Sequence, residues 1–438
     1  MKKLLVLIVV VAVFVALFMP YVTGRVAEEA TLQLASQVNA NSEEYGELEV
    51  VEYDRGYGST QSNFSWSPGG SYGALMSGLF GDPVRYSCEG DHGVLEYSYE
   101  CRPLNVEAYK EFVEQELGGK DPLTISGSVS VFGTLTQTLN LEEFELNNEE
   151  QEKLKVLPGQ LSIKSDRELN NFAVDGDFEG LVASGADGDF AVNGLSVNGN
   201  IRLNQHRLAI GDMELTAQDI GMQSDSDGEV QFQGLSMRSV ATEQGDTMAI
   251  EYGMSLDKVI QTEATEPVDM NDIELDLQLQ GIDMEQLGNF TKKYQELSKL
   301  PPEESNAARL TMMSDLEGLL KSGLKLNTTA SANYASEPMY AKLDVELVGN
   351  LSLGDFVLLA VNPQGLFSKF KAHMNTQVPK VVLEGNETAM AALASNPLYI
   401  ESDRSYNSDI ELIDNDVTIN GNKMSIEELL ALLMQAAG

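Results

Sequence analysis

The stretch in which residue types and spacing come nearest to metal chemistry is "DVTINGNKMSIEELLALLMQAAG". Asp416, Thr418, Asn420 and Gly421 stand at positions 1, 3, 5 and 6 of an EF-hand loop, and Glu427 stands at position 12. There, oxygen donors and a turn glycine would wrap calcium. The flanks point elsewhere. An EF-hand needs an entering helix, whereas Ile410, Leu412, Val417 and Ile419 alternate as in a strand; Thr418 is no carboxylate, and Lys423 takes a position that is usually apolar. Asn420-Gly421 suits a type I′ turn, and Ser425 with Glu428 makes a capping box. The stretch therefore reads as a strand, a tight turn and a helix whose Leu429, Leu430, Leu433 and Met434 pack back on a sheet.

Other candidates for chemistry are sparse. Three histidines, His92, His206 and His373, lie near no nucleophile elbow, zinc-binding helix or phosphate loop. Asp175, Asp177, Glu179, Asp187 and Asp189 in "VDGDFEGLVASGADGDFAVNG" resemble calcium-binding turns, although Asp-Gly pairs explain the same letters as hairpin turns. Carboxylates are so abundant that no one pair is singled out for hydrolysis. We assign no catalytic residue, no metal ligand and no cofactor, and expect no enzyme. The two cysteines, Cys88 and Cys101, flank a Gly-containing turn in "SCEGDHGVLEYSYECR", so a hairpin would bring the sulfurs together as a disulfide. A metal site from Cys88, His92, Cys101 and Asp91 is the alternative, on a spacing that matches no familiar zinc pattern.

These residues need a frame to hold them. The 438 residues are 42% hydrophobic, enough for a large core, and 28 basic against 68 acidic residues leave a net charge of −40. Such a surface repels phosphate backbones, which excludes nucleic acid as a partner. Lys2 and Lys3 precede an uncharged run over residues 4–24, long enough at about 1.5 Å per residue to span a bilayer's hydrocarbon core. With Glu28 and Glu29 after it, the run reads as a single-pass transmembrane anchor over residues 1–24, partnering the inner membrane through 4–24 and leaving residues 25–438 in the periplasm. A cleaved signal peptide is the alternative.

Beyond it, "RVAEEATLQLASQVNAN" carries a four-residue apolar spacing and predicts a short helix. "ISGSVSVFGTLTQTLNL", "GLSVNGNIRLNQHRLAIGDMELTA" and "DIELDLQLQGIDM" alternate with period two and predict half-buried antiparallel strands. Gly-Leu-Ser recurs at Gly194 and Gly234, each after an Asp/Gly-rich turn. Helical patterns interrupt the strands near 104–118 and 284–322, the latter as two helices parted by Pro301-Pro302, and again around Met390. The fold class expected is α+β: an extended, mostly antiparallel, twisted or curled sheet with helices packed on it, preceded by one transmembrane helix.

"YDRGYGST" (Tyr53 to Thr60), "DHG" (Asp91 to Gly93) and "TINGNKMSIEEL" (Thr418 to Leu429) resemble the YdgA-like family of bacterial envelope proteins, a family of unknown function, and the resemblance covers nearly the whole chain. It implies an inner-membrane anchor and a large periplasmic part, with no activity or cofactor. Arg55, Gly56, Asp91, His92 and Gly93 match the family's pattern, as a binding site or as a bend and a turn. The function expected is that of a non-enzymatic scaffold of the cell envelope meeting an unidentified envelope protein or lipid, and capable of forming a homo-oligomer. The alternative is a carrier sheltering a lipid or other hydrophobic ligand in an apolar sheet trough.

Overall fold

The structure is a computed structural model that describes residues 2–40, 42, 46–69, 83–103, 107–115, 117–147, 152–186, 188–224, 228–262, 269–298, 316–321, 323–352, 354–355, 363–384 and 387–429. The chain forms two compact units, Met1–Asn200 and Ile201–Gly438.

The first unit opens with helix α1 (Lys2–Ala40), followed by strands β1 (Glu47–Arg55), β2 (Ser59–Ser67), β3 (Val84–His92) and β4 (Glu96–Pro103). Helix α2 (Glu107–Gln115) precedes β5 (Leu123–Ser130), β6 (Leu135–Leu141), β7 (Phe144–Asn147), β8 (Lys153–Val156), β9 (Gly159–Ser165) and β10 (Asn171–Gly185). Pairing is antiparallel and mostly sequential: β1 through β6 form a meander, β9 joins β6, and β10 lies between β9 and β8, with β7 on β8. Alternation sorts the side chains. Tyr97, Val129 and Leu135 occupy opposed positions on β4, β5 and β6 and pack under Ala27 and Ala30 of α1. Three residues along, Asp54, Gln61, Glu89, Glu100, Ser126 and Thr138 form an all-polar row across six strands on the other face.

The unit boundary falls within β11 (Gly188–Leu203). The second unit continues with β12 (Ala209–Ser224), β13 (Gly228–Gln244), β14 (Thr247–Thr262), β15 (Asp269–Asp283), helix α3 (Met284–Ser298), β16 (Lys325–Tyr334) and β17 (Glu337–Leu347). Helix α4 (Pro363–Phe367), β18 (Phe370–Pro379), helix α5 (Glu387–Ser395), β19 (Ile400–Glu401), β20 (Ser405–Ile413), β21 (Asp416–Ile419) and β22 (Asn422–Met424) complete it. Strands β12 to β18 pair in order, β20 follows β18 and also pairs with β19, and β21 and β22 close the ladder, antiparallel throughout. Two apolar clusters cap one end of the sheet: Met248, Ile282 and Met284 with Leu287 of α3, and Leu412, Val417 and Ile419 with Ile426 and Leu429.

Several expectations change. Strand outweighs helix, 62% against 19%, so the molecule is mainly an antiparallel β protein and not a balanced α+β one. Residues 4–24 and the stretch after Arg25 are not a span followed by a short helix but one continuous 39-residue helix. Among the described residues no helix is long and apolar enough to cross a membrane, which overturns the single-pass anchor over residues 1–24 and the inner-membrane location inferred from it. The end of that run is also committed to protein contacts: Thr23 is fully buried and donates its hydroxyl to the carbonyls of Pro20 and Gly93, each at 3.0 Å.

Asp175, Asp177 and Glu179 do not lie on turns. They alternate along β10, whose pairing with β9 absorbs the glycines into a strand; Asp189 is in β11, and Asp187 lies outside the described residues. Gly194 and Gly234 sit within β11 and β13 at φ of 60° and 67°, where the apolar alternation shifts by one residue, from Phe232 to Leu235 in β13. The helix expected after Pro301-Pro302 is described only from 316, and Leu430, Leu433 and Met434 also lie outside the described residues.

Candidate functional site

The residues singled out at Arg55–Gly56 and Asp91–Gly93 come from two hairpin tips of the first unit, and the meander brings them together. Ser59 of β2 stands opposite Asp91 of β3, and the amide of His92 donates to the carbonyl of Gly58 at 2.8 Å. Gly56 closes its own turn by donating to the Ser59 carbonyl, and Gly93 does the same to Glu96, both at 2.8 Å.

His92 is the centre of this cluster. It is buried, its Nδ1 lies 3.1 Å from the Tyr57 carbonyl, and its Nε2 lies 2.6 Å from the Thr60 hydroxyl. A carbonyl only accepts, so Nδ1 carries a proton, and in that tautomer Nε2 accepts from the Thr60 hydroxyl. The Tyr97 ring meets it edge-on, with centroids 5.5 Å apart. From above, α1 presses Gly24 onto the ring: a Cβ there would stand 2.6 Å from Nδ1 and 2.9 Å from Nε2, so no larger residue fits without displacing the imidazole.

Arg55 lies on the same side of the sheet. Its Nε is 3.1 Å from Glu28 of α1, its guanidinium covers the Tyr21 ring at 5.1 Å, and its Nη1 is buried without a hydrogen-bond partner among the described residues. Burial raises the pKa of the Tyr53 phenol; Thr60 and Thr31 oppose that rise without reaching good hydrogen-bond geometry. Burial also raises the Tyr97 phenol and pushes Tyr86 and Tyr99 up to about 12, so burial favours the neutral phenol in all four. Cys88 and Cys101 stand directly opposite on β3 and β4 and form a buried disulfide on this face.

Asp91 faces the other way. Successive residues of a strand point to opposite faces, so Asp91 and His92 do not form an acid–base pair. Asp91 instead joins Asp54, Glu89, Glu100 and Arg102, with Ser87, Ser98 and Ser126, around an open polar concavity of about 810 Å³. The motif thus divides into a buried clamp on α1 and one wall of a hydrophilic hollow. No group of His, Cys, Asp or Glu among the described residues is arranged to hold a metal ion.

The calcium-like stretch at Asp416 is a hairpin. Asn420 and Gly421 both have positive φ, 51° and 80°, and connect β21 to β22. The Asn420 side chain accepts from the Asp409 amide at 2.9 Å and donates to the Leu398 carbonyl at 3.0 Å, so its oxygen is engaged in tying the hairpin down. Ser425 and Glu428 exchange backbone–side-chain bonds of 2.8 and 3.2 Å as a capping box.

Sequence reasoning missed Gly24, Thr60 and Tyr97. Gly24 left one signal, a glycine inside a helical pattern, which costs about 1 kcal/mol relative to alanine and marks a close approach.

A second feature lies in the other unit. Leu215, Met237, Met254 and Leu275 stand directly opposite one another on β12, β13, β14 and β15. Met237 is 46% exposed and Leu275 40%, and Tyr252, two residues from Met254 on the same face, is 53% exposed. The neighbouring pair Ile250 and Leu279 packs into the helix-covered core instead. The apolar face therefore runs out from under its helices into solvent.

The chain matches the model of a family described as bacterial protein of unknown function (DUF945) over residues 1–427, and it belongs to that family. No curated protein and no solved structure matches it.

Proposed function

We propose that this bacterial protein is a non-enzymatic binding protein that holds a hydrophobic ligand, such as an acyl chain, on the open apolar row of its second unit. The observation that carries the reading is the row itself. Four large apolar side chains in direct register on adjacent strands make a continuous strip about 14 Å long at the usual interstrand spacing. An acyl chain laid on it gains about 0.8 kcal/mol for each methylene removed from water. Native mass spectrometry of the full chain should show a co-purified lipid-sized adduct, and a fluorescent fatty acid should bind. Met237→Asp with Leu275→Asp should weaken that binding at least about tenfold. No adduct together with no fatty-acid binding, or equal binding by the double variant, would refute the reading.

An interaction scaffold is the second reading, supported by the polar hollow around Asp91 in the first unit, whose acidic lining suits a basic partner segment. The YdgA-like reading within DUF945 rests on the motifs "YDRGYGST", "DHG" and "TINGNKMSIEEL" and their order along the chain.

A further inference from the structure

The open row of the second unit does not stop at Leu275. Strand register carries it onward: Leu275 stands opposite Ala330 of β16, Ala330 opposite Ala341 of β17, Ala341 opposite Thr376 of β18, and Thr376 opposite Ser408 of β20. The row changes character along its length. Large side chains give way to two alanines, which lower the floor of the strip, and the row ends on two hydroxyls side by side. Ala341 is exposed, whereas Ser408 is 2% exposed and the hydroxyl oxygens of Thr376 and Ser408 are both buried. Neither hydroxyl has a hydrogen-bond partner among the described residues. Buried hydroxyls left unpaired cost stability, so this pair calls for a partner.

We propose that Thr376 and Ser408 hold the head of an amphiphile whose tail lies on the apolar row, and that this head is uncharged, an alcohol or an ester. The assignment rests on the reading of the row as the seat of a hydrophobic ligand. A few polar groups at one end of an apolar surface fix a ligand's orientation, and a hydroxyl can both donate and accept. The same-face neighbours along β18 and β20 are Met374, Val378, Tyr406 and Ile410, none of which carries a charge. Lys380, over the Tyr406 ring, is already paired with Glu401 at 2.6 Å. A carboxylate or phosphate drawn into this end would therefore lose water without gaining a counter-charge, in a chain whose net charge is −40. Length agrees as well. From Thr376 back to Leu275 is three interstrand steps, about 14 Å, close to the half-thickness of a bilayer's hydrocarbon core that one acyl chain fills.

The test compares 1-dodecanol with dodecanoate at about pH 8, where the carboxylate is ionised, each displacing Nile red from the full chain. The alcohol should bind about tenfold more tightly than the carboxylate. Thr376→Val with Ser408→Ala should weaken the alcohol about tenfold and leave dodecanoate unchanged. The unliganded double variant should melt as the parent does, because the hydroxyls it lacks have no protein partner among the described residues. Equal binding of the alcohol by parent and double variant, or tighter binding of dodecanoate by the parent, would overturn the head site and leave the row standing. Displacement by neither probe would overturn both.

Discussion

Replacing Gly24 with alanine tests the clamp on His92 through a change of sign. On helix propensity alone the substitution stabilises, because glycine in a helix interior is about 1 kcal/mol worse than alanine. The new methyl, however, would stand 2.6 Å from His92 Nδ1 and 2.9 Å from Nε2, inside van der Waals contact. The ring cannot step aside freely, since it is 7% exposed, fixed from both nitrogens and flanked by Tyr97. Moving it forfeits at least one hydrogen bond worth about 1 kcal/mol, or forces overpacking that costs about 1–3 kcal/mol. The opposing effects leave Gly24→Ala destabilising by up to about 2 kcal/mol. With His92→Ala already in place the obstacle is gone, and the same substitution should stabilise by about 1 kcal/mol. Urea unfolding followed through Trp66, the single tryptophan and a β2 residue, reports on this unit. A double-mutant cycle should give a coupling of about 1–3 kcal/mol. An effect of the same sign and size in both backgrounds would show that α1 is not seated on the imidazole.

Reducing the Cys88–Cys101 disulfide, or replacing both cysteines with serine, should lower the stability of the same unit by about 3 kcal/mol for so short a loop, read from the same urea transition; an unchanged midpoint would contradict that. In the second unit, Asp355 is held down to about 2, first by the hydrogen bond from Lys369 and then by bonds from Ser352. Its folded value lies below its unfolded value near 4, so its contribution is present above about pH 4 and is lost as pH falls toward about 2. Asp355→Asn should flatten the acid dependence in that window, measured by hydrogen exchange of the Leu351 and Lys369 amides, whereas an unaltered acid limb would exclude the carboxylate as its source.

The period-two stretches were legible because a half-buried antiparallel strand imposes its alternation directly on the sequence. All of "DIELDLQLQGIDM" but its last residue lies in β15, and "TLTQTLNL" contains β6. The cysteine hairpin and the capped turn at Asn420 are likewise local, set by residues within a few positions of one another. The site was less legible. Arg55 and His92 were picked out by motif, but their partners Glu28, Gly24 and Thr60 lie tens of residues away in sequence, where spacing carries no information. The "VDGDFEG" segment misled because glycine and aspartate favour turns in isolation, while in β10 pairing with β9 overrides that preference.

What the sequence by itself determined is the strand character of the period-two stretches and the strongly acidic charge, because composition and periodicity are local properties. Tertiary structure alone decided that Asp91 and His92 serve opposite faces, that α1 closes over one of them, and that Leu215, Met237, Met254 and Leu275 line up. Those facts depend on strand register, and register is fixed only when whole strands bury their apolar sides against one another.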